Sequence, residues 1–130
     1  MAERLEVSFP GGKRVDVTAG IHTIATDQAE KHGGADSAPA PFTLFLASLA
    51  SCSGIYALNF CHSRNLPTEG LAVSMDWDRG SDGKAIARIR LRLPDGFPER
   101  YRESILRAVD LCAVKKQLVD PPAFEMLIED

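Results

Sequence analysis

A long stretch without charged residues limits the folds open to this chain. Between Ser37 and Ser63 there is no Asp, Glu, Lys or Arg, and the segment from Pro41 to Phe60 is close to the ~20 residues that a helix needs to cross a bilayer. Polar residues interrupt this segment, however, and strand-like patterns flank it on both sides. A helix without charges in a globular protein is one that is covered on all sides. The sequence therefore predicts a long buried central helix and no membrane association.

The residues before this helix predict a small antiparallel sheet. Leu5, Val7 and Phe9 alternate with polar or charged residues, which is the period-two pattern of a half-buried strand. A Pro-Gly-Gly turn follows, and Val15 and Val17 resume the alternation, which indicates a hairpin. The predicted elements are a hairpin over 4–17, a third strand over 21–26, a loop over 27–40 and the helix from 41 to about 64.

A second hairpin is the clearest local pattern in the chain. Residues 71–77 alternate between large apolar and small or polar side chains, and after a glycine-containing turn the alternation resumes up to Leu93. One face of its second strand carries three arginines: Arg88, Arg90 and Arg92. No aromatic residues are interleaved with them and the chain is net acidic, so we expect a solvated sheet face and no nucleic acid partner.

The last part of the chain predicts a second helix and a final strand. Apolar residues recur at helical spacing from Pro98 to about Leu118, and Cys112 shares this apolar stripe. Two prolines at 121 and 122 end the helix, and alternation over 124–128 indicates a short strand. The predicted fold class is α+β, with an antiparallel sheet and helices packed on one of its faces.

Length, charge and cysteine content narrow the classes of function. With 130 residues the chain is expected to form one domain over 1–130. Its net charge of -3 argues against a nucleic acid binder held by bulk charge. The first residues lack an apolar signal segment, and three cysteines are an odd number that suits free thiols in a reducing compartment. We therefore expect a cytoplasmic protein.

Cysteine carries the candidate chemistry. The sequence has no glycine-rich phosphate loop and no zinc-type Cys or His spacing, so no metal or organic cofactor is expected. It also has no serine nucleophile elbow. Cys52 and Cys61 lie on opposite faces of the predicted helix, separated by roughly 13 Å of helical rise. A disulfide requires Cα atoms within about 7 Å, so any intrachain disulfide must include Cys112.

The residues around Cys52 favour a reactive thiol only in part. Each of the three cysteines can also be explained as a small apolar side chain in the core with no chemical role. Small residues precede Cys52 in the sequence. Ser48 and Tyr56, one turn away on either side, are placed to hydrogen-bond a thiolate or a ligand. No basic residue lies within a helical turn of it, so a lowered pKa would require an arginine from elsewhere in the fold.

Two segments resemble the motifs of a known superfamily. The segment from Pro41 to Cys52 is similar to the opening of the central helix in OsmC/Ohr proteins, the osmotically inducible and organic hydroperoxide resistance proteins. The run Leu111-Cys112-Ala113-Val114 resembles the second motif, in which Cys and Val precede a short helix. The separation of the motifs and the hairpin between them also match. The stretch around Cys61 is most similar to the OsmC-like branch.

This resemblance implies an OsmC-like fold, an intertwined homodimer and a thiol-dependent peroxidase that reduces organic hydroperoxides. Cys52 would be oxidised by the hydroperoxide, Cys112 would condense with it as a disulfide, and an external dithiol would reduce that disulfide. The resemblance also implies an activating arginine from an N-terminal loop, for which Arg14 is the nearest match and Arg4 the alternative. The residues expected to bind substrate are Phe42, Phe45 and Tyr56.

The chain departs from the typical peroxidases at Phe42, where they carry a Glu that holds the activating arginine. A second hypothesis therefore stands beside the peroxidase: a non-enzymatic homodimer of the same fold that binds a small electrophile or thiol compound at Cys52. A third hypothesis is a relative that shares only the fold and keeps its cysteines in the core.

Overall fold

In the computed structural model, which describes residues 3–130, strands lie on both sides of one long helix in the sequence. The strands are β1 (Leu5–Gly11), β2 (Arg14–Ala19), β3 (His22–Thr26), β4 (Ala72–Arg79) and β5 (Ala85–Arg92). The helices are α1 (Pro41–Ser63), α2 (Arg102–Asp110) and α3 (Ala113–Val119). Two compact units divide the chain after Leu46, and α1 begins in the first unit and continues through the second.

The first unit contains a three-stranded antiparallel sheet in the order β1-β2-β3, as the alternation predicts. The register places Val7 opposite Val17, and Val17 opposite Ile24, so these apolar side chains share one face. Gly12 closes the first turn with a φ of +59°, which glycine adopts without strain. Much of the apolar face remains open, because Phe9 at the end of β1 is 79% exposed.

The loop between β3 and α1 is organised by the buried carboxylate of Asp27. It accepts hydrogen bonds from the backbone N–H of Gln28 at 2.7 Å, of Ala35 at 3.3 Å and of Ser37 at 3.0 Å, and from the Ser37 hydroxyl at 2.6 Å. These bonds, the Ser37 hydroxyl first, lower the pKa of Asp27 to about 2. Gly34 closes the loop, since a Cβ there would lie 2.0 Å from the Gln28 carbonyl oxygen.

The second unit is built on one face of α1. The buried residues of this helix form a stripe at helical spacing: Leu49, Ser53, Ala57, Phe60 and Cys61. Its last three members pack with Ile105 and Val109 of α2 in the core, and half-buried side chains of the β4–β5 hairpin complete the cluster. The two helices and the hairpin therefore share one apolar centre.

Within one chain α1 is buried along that stripe only, and not on all sides as the sequence predicts. Ile55 is 46% exposed, and Ser51, Asn59 and His62 on the same side are also exposed. The reason is that the core elements cover one side of the helix and leave this uncharged face open. By length and composition α1 could also cross a membrane, with a mean hydropathy of 1.6, a property that core helices of soluble proteins share.

The β4–β5 hairpin confirms the predicted second hairpin, as an antiparallel pair whose register runs from Ala72 opposite Arg92 to Arg79 opposite Ala85. It forms a two-stranded sheet separate from the first, where the sequence predicts a single sheet. Its arginine face is exposed to solvent as expected. Arg88 lies 3.6 Å from Asp78, and Arg90 pairs with Asp76, so cross-strand ion pairs occupy these side chains.

Two predictions for the C-terminal part are wrong. The helix predicted from Pro98 to Leu118 is instead a 3₁₀ turn followed by α2 and α3, which are interrupted at Leu111 and Cys112. The strand predicted over 124–128 is absent from the described chain. Residues 121–130 have no regular structure there and lie exposed. An isolated strand leaves its backbone groups without hydrogen-bond partners, and in the described residues no neighbouring strand supplies them.

Candidate functional site

The interruption between α2 and α3 brings Cys112 to Cys52. Cys112 directly precedes α3, and Cys52 lies on α1. The thiol of Cys112 donates a hydrogen bond to the sulfur of Cys52. The backbone N–H groups of Ala113 and Val114, at the start of α3, also hydrogen-bond the Cys52 sulfur. Both thiols are free, so the structure holds the reduced state of this pair. We define these two residues as the thiol pair.

The two members of the thiol pair have opposite pKa shifts. Burial acts to raise the pKa of Cys52, but the hydrogen bonds from Cys112, Val114 and Ala113 outweigh it and the net pKa is lowered. Burial raises the pKa of Cys112, and its donation to Cys52 raises it further. The first thiol to ionise is therefore Cys52, and Cys112 keeps its proton.

Cys61 lies in a different environment from the thiol pair. It is fully buried in the core against Ile105 and Val109. Burial raises its pKa, and the nearby charge of Arg64 opposes the shift without cancelling it. Cys52, in contrast, is only half-buried and can be reached by a small molecule. The arrangement agrees with the predicted separation of Cys52 from Cys61 on opposite faces of α1.

A groove lies between α1 and α2 on the side of α1 that carries Cys52. Cys52, Tyr56, Asn59 and Ser63 recur at spacings of three and four residues, which places them on one helix face. The α1–α2 groove has a volume of about 930 Å³. It is lined by Tyr56, Asn59, Phe60, Ser63, Arg64, Ser104, Arg107, Ala108 and Leu111. Tyr56, predicted to bind substrate, is thus one of its walls.

Cys112 also faces a second, more enclosed space. A cavity of about 340 Å³ lies between the helices and the β4–β5 hairpin, and its walls are mostly apolar. Leu49, Ile89 and Val109 are among the lining residues, and an ion pair between Lys115 and Asp110 stands at the same cavity. The resolving thiol of the hypothesis therefore contacts an apolar interior on one side and Cys52 on the other.

The remaining predicted site residues lie in the first unit. Arg14 begins β2, and its guanidinium is 3.5 Å from the carboxylate of Asp16. Phe42 and Phe45 lie in the first turns of α1 with ring centroids 5.5 Å apart. The structure brings these two aromatic rings together, and the roles of all three residues stay predictions.

Sequence reasoning missed the backbone contribution to this site. The N–H groups of Ala113 and Val114 lower the pKa of Cys52, although no side-chain pattern marks them. Hydrogen bonds therefore lower the pKa of Cys52, whereas the sequence suggested that an arginine would be required.

Within residues 3–130 no group of three or more His, Cys, Asp or Glu side chains is placed to hold a metal ion.

A hydrogen-bonded pair of reduced cysteines beside a long central helix, in an α+β fold, defines a class of small thiol proteins. The family model described as OsmC-like protein matches residues 33–126. The chain belongs to this OsmC-like family. No curated protein sequence matches the chain.

Solved structures with the same fold agree with this assignment. A protein from Psychrobacter arcticus 273-4, provisionally described as an osmotic stress induced and detoxification response protein, gives a TM-score of 0.71 at 18% identity and covers 87% of this chain and 85% of its own. The OsmC like protein from Mycoplasma pneumoniae gives 0.67 at 16% identity, with 93% and 89% covered. The organic hydroperoxide resistance protein OsmC from Legionella pneumophila gives 0.58 at 14% identity, with 91% and 89% covered. At these identities the similarity establishes the fold.

Proposed function

We propose that this protein is a thiol-dependent peroxidase that reduces organic hydroperoxides through Cys52 and Cys112. The observation that carries the proposal is the thiol pair itself: Cys52 has a lowered pKa because a neighbouring thiol and two backbone N–H groups hydrogen-bond its sulfur. A thiolate is the nucleophilic form of cysteine, and a second thiol in contact with it is placed to resolve the oxidised product. Two solved structures with the same fold are organic hydroperoxide resistance proteins, OsmC from Legionella pneumophila and OhrB from Bacillus subtilis.

The proposed reaction has three steps. The Cys52 thiolate attacks the outer oxygen of the hydroperoxide, so that an S–O bond forms as the O–O bond breaks, and the alkoxide leaves and takes a proton from water. The thiol of Cys112 then attacks the resulting sulfenic acid, which forms the disulfide and releases water. Finally an external dithiol reduces the disulfide by thiol–disulfide exchange and is itself oxidised to a disulfide.

The raised pKa of Cys112 is consistent with its role as the resolving thiol. A protonated Cys112 donates its hydrogen bond to the Cys52 thiolate, so the pair carries one charge and not two. After oxidation of Cys52, the same contact leaves the attacking sulfur next to its target. Resolution by a neighbouring thiol protects a sulfenic acid from irreversible oxidation.

The test is consumption of cumene hydroperoxide with dithiothreitol as reductant, measured for the wild type and three single variants. The wild type and Cys61→Ser are expected to consume peroxide, and Cys52→Ser is expected to be inactive. Without dithiol, one equivalent of peroxide is expected to produce a Cys52–Cys112 disulfide in the wild type, detected by peptide mapping. Cys112→Ser is expected to accumulate the sulfenic acid at Cys52 instead.

A specific result favours the alternative hypothesis of a binding protein. If the wild type consumes peroxide no faster than Cys52→Ser, while Cys52 is still alkylated rapidly at neutral pH, the thiol is reactive but not peroxidatic. Slow alkylation of Cys52 together with no peroxide consumption would favour the third hypothesis, a relative that shares only the fold.

A further inference from the structure

The short helix α3 is weakly anchored in the fold. It has seven residues, none of them is buried, and the side chain of Cys112 before it makes no capping hydrogen bond to its N-terminus. A helix of this length is marginal on its own. The direction in which α3 leaves α2 therefore depends on contacts between side chains at the interruption.

One ion pair crosses this interruption. Asp110 is the last residue of α2, Lys115 lies in the first turn of α3, and Nζ of Lys115 donates to Oδ1 of Asp110. The pair spans Leu111 and Cys112, the two residues between the helices. In the described chain these two are the only charged residues that line the cavity beside Cys112. We call this ion pair the α2–α3 bridge.

The two charges of the bridge stand at helix ends where they do not stabilise their own helices. A helix has a partial positive charge at its N-terminus and a partial negative charge at its C-terminus. Asp110 is at the C-terminus of α2 and Lys115 is near the N-terminus of α3, so each charge opposes the field of its own helix. The stability of the separate helices does not explain these residues, whereas a contact between the helices does.

The bridge is adjacent to the backbone donors of the thiol pair. The N–H groups of Ala113 and Val114 donate to the Cys52 sulfur. The N–H of Lys115 donates to the Cys112 sulfur. The first N–H groups of a helix have no acceptor within that helix, so the direction of α3 decides whether they reach these sulfurs. The lysine of the bridge thus also supplies, through its backbone, a donor to the thiol pair.

We propose that the Asp110–Lys115 ion pair is a positioning pair, which fixes α3 against α2 so that the first N–H groups of α3 point at the Cys52 sulfur. The inference rests on the proposed function for the reaction of the thiol pair, and it adds two residues that act on Cys52 without contacting the substrate. An exposed ion pair contributes little to overall stability. This one has to bias only the direction of one short helix, for which a small free energy is enough.

The test is the pH midpoint of iodoacetamide alkylation at Cys52, which requires no peroxidase activity. Asp110→Asn and Lys115→Gln each break the bridge, so both are expected to move the midpoint upward by about half a pH unit, roughly a threefold change in the ionisation constant. The two variants remove charges of opposite sign. A direct effect of these charges on Cys52 would move the midpoint upward in Lys115→Gln and downward in Asp110→Asn. A shift in the same direction in both variants is therefore the signature of positioning.

Two further variants restore the bridge, and a third is the control. Lys115→Arg keeps the charge and is expected to keep the wild-type midpoint. The double variant Asp110→Lys/Lys115→Asp forms the ion pair with its charges exchanged and is expected to return the midpoint toward the wild-type value. Glu103→Gln removes the partner of Arg107 in an ion pair that lies within α2, and it is expected to leave the midpoint unchanged. The side chains of Lys115 and Asp110 are 42% and 69% exposed, so these substitutions leave no cavity in the core.

Hydrogen exchange of the Ala113 and Val114 amides gives a second readout that involves no reaction at Cys52. Both amides are expected to exchange about threefold faster in the two single variants, and to be protected again in the double variant. Midpoint shifts of opposite sign, an unchanged midpoint in either single variant, or a double variant that recovers neither quantity would each overturn the inference. Consumption of cumene hydroperoxide by the wild type does not enter these comparisons, so the proposed function is judged separately.

Discussion

The three cysteines of this chain show how the environment decides the chemistry of one side chain. Cys61 has apolar neighbours, and burial alone sets the direction of its pKa shift. Cys112 is as deeply buried, at 2% exposure, but donates a hydrogen bond to another sulfur. Cys52 is half-buried and receives three hydrogen bonds. Hydrogen bonds to the charged form favour ionisation even where no cation is adjacent.

The first prediction is that Cys112→Ala raises the pKa of Cys52. The variant removes the thiol donor, which is the largest of the contributions that lower this pKa, so burial is opposed by the backbone N–H groups alone. The pH midpoint of iodoacetamide alkylation at Cys52, measured from rate against pH, is expected to move upward. Cys61→Ala is the control and is expected to leave the midpoint unchanged. A midpoint that stays the same or falls in Cys112→Ala would contradict the hydrogen bond.

The second prediction concerns Cys61, which packs in the core. Cys61→Ser places a hydroxyl among Ala57, Ile105 and Val109, and burying this more polar group in an apolar cluster costs roughly 1 to 3 kcal/mol. The free energy of unfolding from urea titration is expected to fall by that amount, while the alkylation rate of Cys52 is retained. Loss of reactivity at Cys52 with unchanged stability would reverse the roles assigned to these two cysteines.

At the scale of elements, the periodicity of the apolar residues and the residues in the turns were enough to predict most of the helices and strands. The long helix, the first hairpin and the β4–β5 hairpin follow from alternation, from helical spacing and from the glycine-containing turns between them. The interruption of the second helix was not predictable in this way. Leu111, Cys112 and Ala113 have no helix-breaking residue among them, and the apolar stripe continues through the break. The direction of the chain there depends on tertiary packing.

Only those residues of the candidate site that belong to a sequence motif could be predicted. Cys52 and Cys112 follow from the resemblance, whereas the backbone donors of Ala113 and Val114 depend on the interruption that the sequence did not reveal. Arg64 and Arg107 lie far apart in the sequence and meet one groove because α1 and α2 pack side by side. Such convergence requires the packing of two helices, which periodicity within each helix does not specify.

The third prediction is a pH dependence located in the loop after β3. The pKa of Asp27 is lowered to about 2 in the folded protein, and an unfolded Asp has a pKa near 3.9. The carboxylate therefore stabilises the fold above about pH 4, and this contribution is lost as the pH falls from about 4 to 2. Asp27→Asn is expected to be less stable than the wild type at pH 7, with the difference shrinking toward about pH 2.

Urea unfolding at several pH values between about 7 and 2 measures this difference. Ser37→Ala is the partial variant, because the Ser37 hydroxyl is the largest cause of the lowered pKa. It is expected to move the loss of stability to higher pH. A constant stability difference between Asp27→Asn and the wild type across this range would show that these hydrogen bonds do not lower the pKa of Asp27 in the folded protein.

At the scale of the whole molecule, a single chain leaves several apolar surfaces uncovered. β1 carries exposed Leu5, Val7 and Phe9 along one side. α1 carries the uncharged face around Ile55, and the C-terminal residues 124–128 expose Phe124 and Ile128 almost completely. Monomeric soluble proteins rarely expose apolar surface on this scale, and larger patches indicate an interface. The tail alternates like a strand, and in the single chain no described strand pairs with it.

We therefore propose that two copies associate, as the family resemblance implies, with the exposed face of α1 at their interface. Obligate interfaces bury about 2,000 Å² or more and resemble a domain core. The uncovered side of α1 has no charged residue, and its central side chain is Ile55. Covering it would complete the burial that the charge-free sequence of the helix predicts. The exposed strand β1 and the C-terminal tail are further surfaces that a second copy can cover.

The last prediction is that the wild type sediments at micromolar concentration as a particle of twice 14.1 kDa. Ile55→Arg is expected to produce a 14.1 kDa monomer of reduced stability, because an arginine buried against a second apolar helix has no partner there. Ser81→Arg adds the same charge in the exposed β4–β5 turn and is expected to remain dimeric. A folded wild-type monomer at that concentration would contradict the proposal. So would an Ile55→Arg variant that keeps the wild-type mass, because the interface would then lie elsewhere and the open face of α1 would need another explanation.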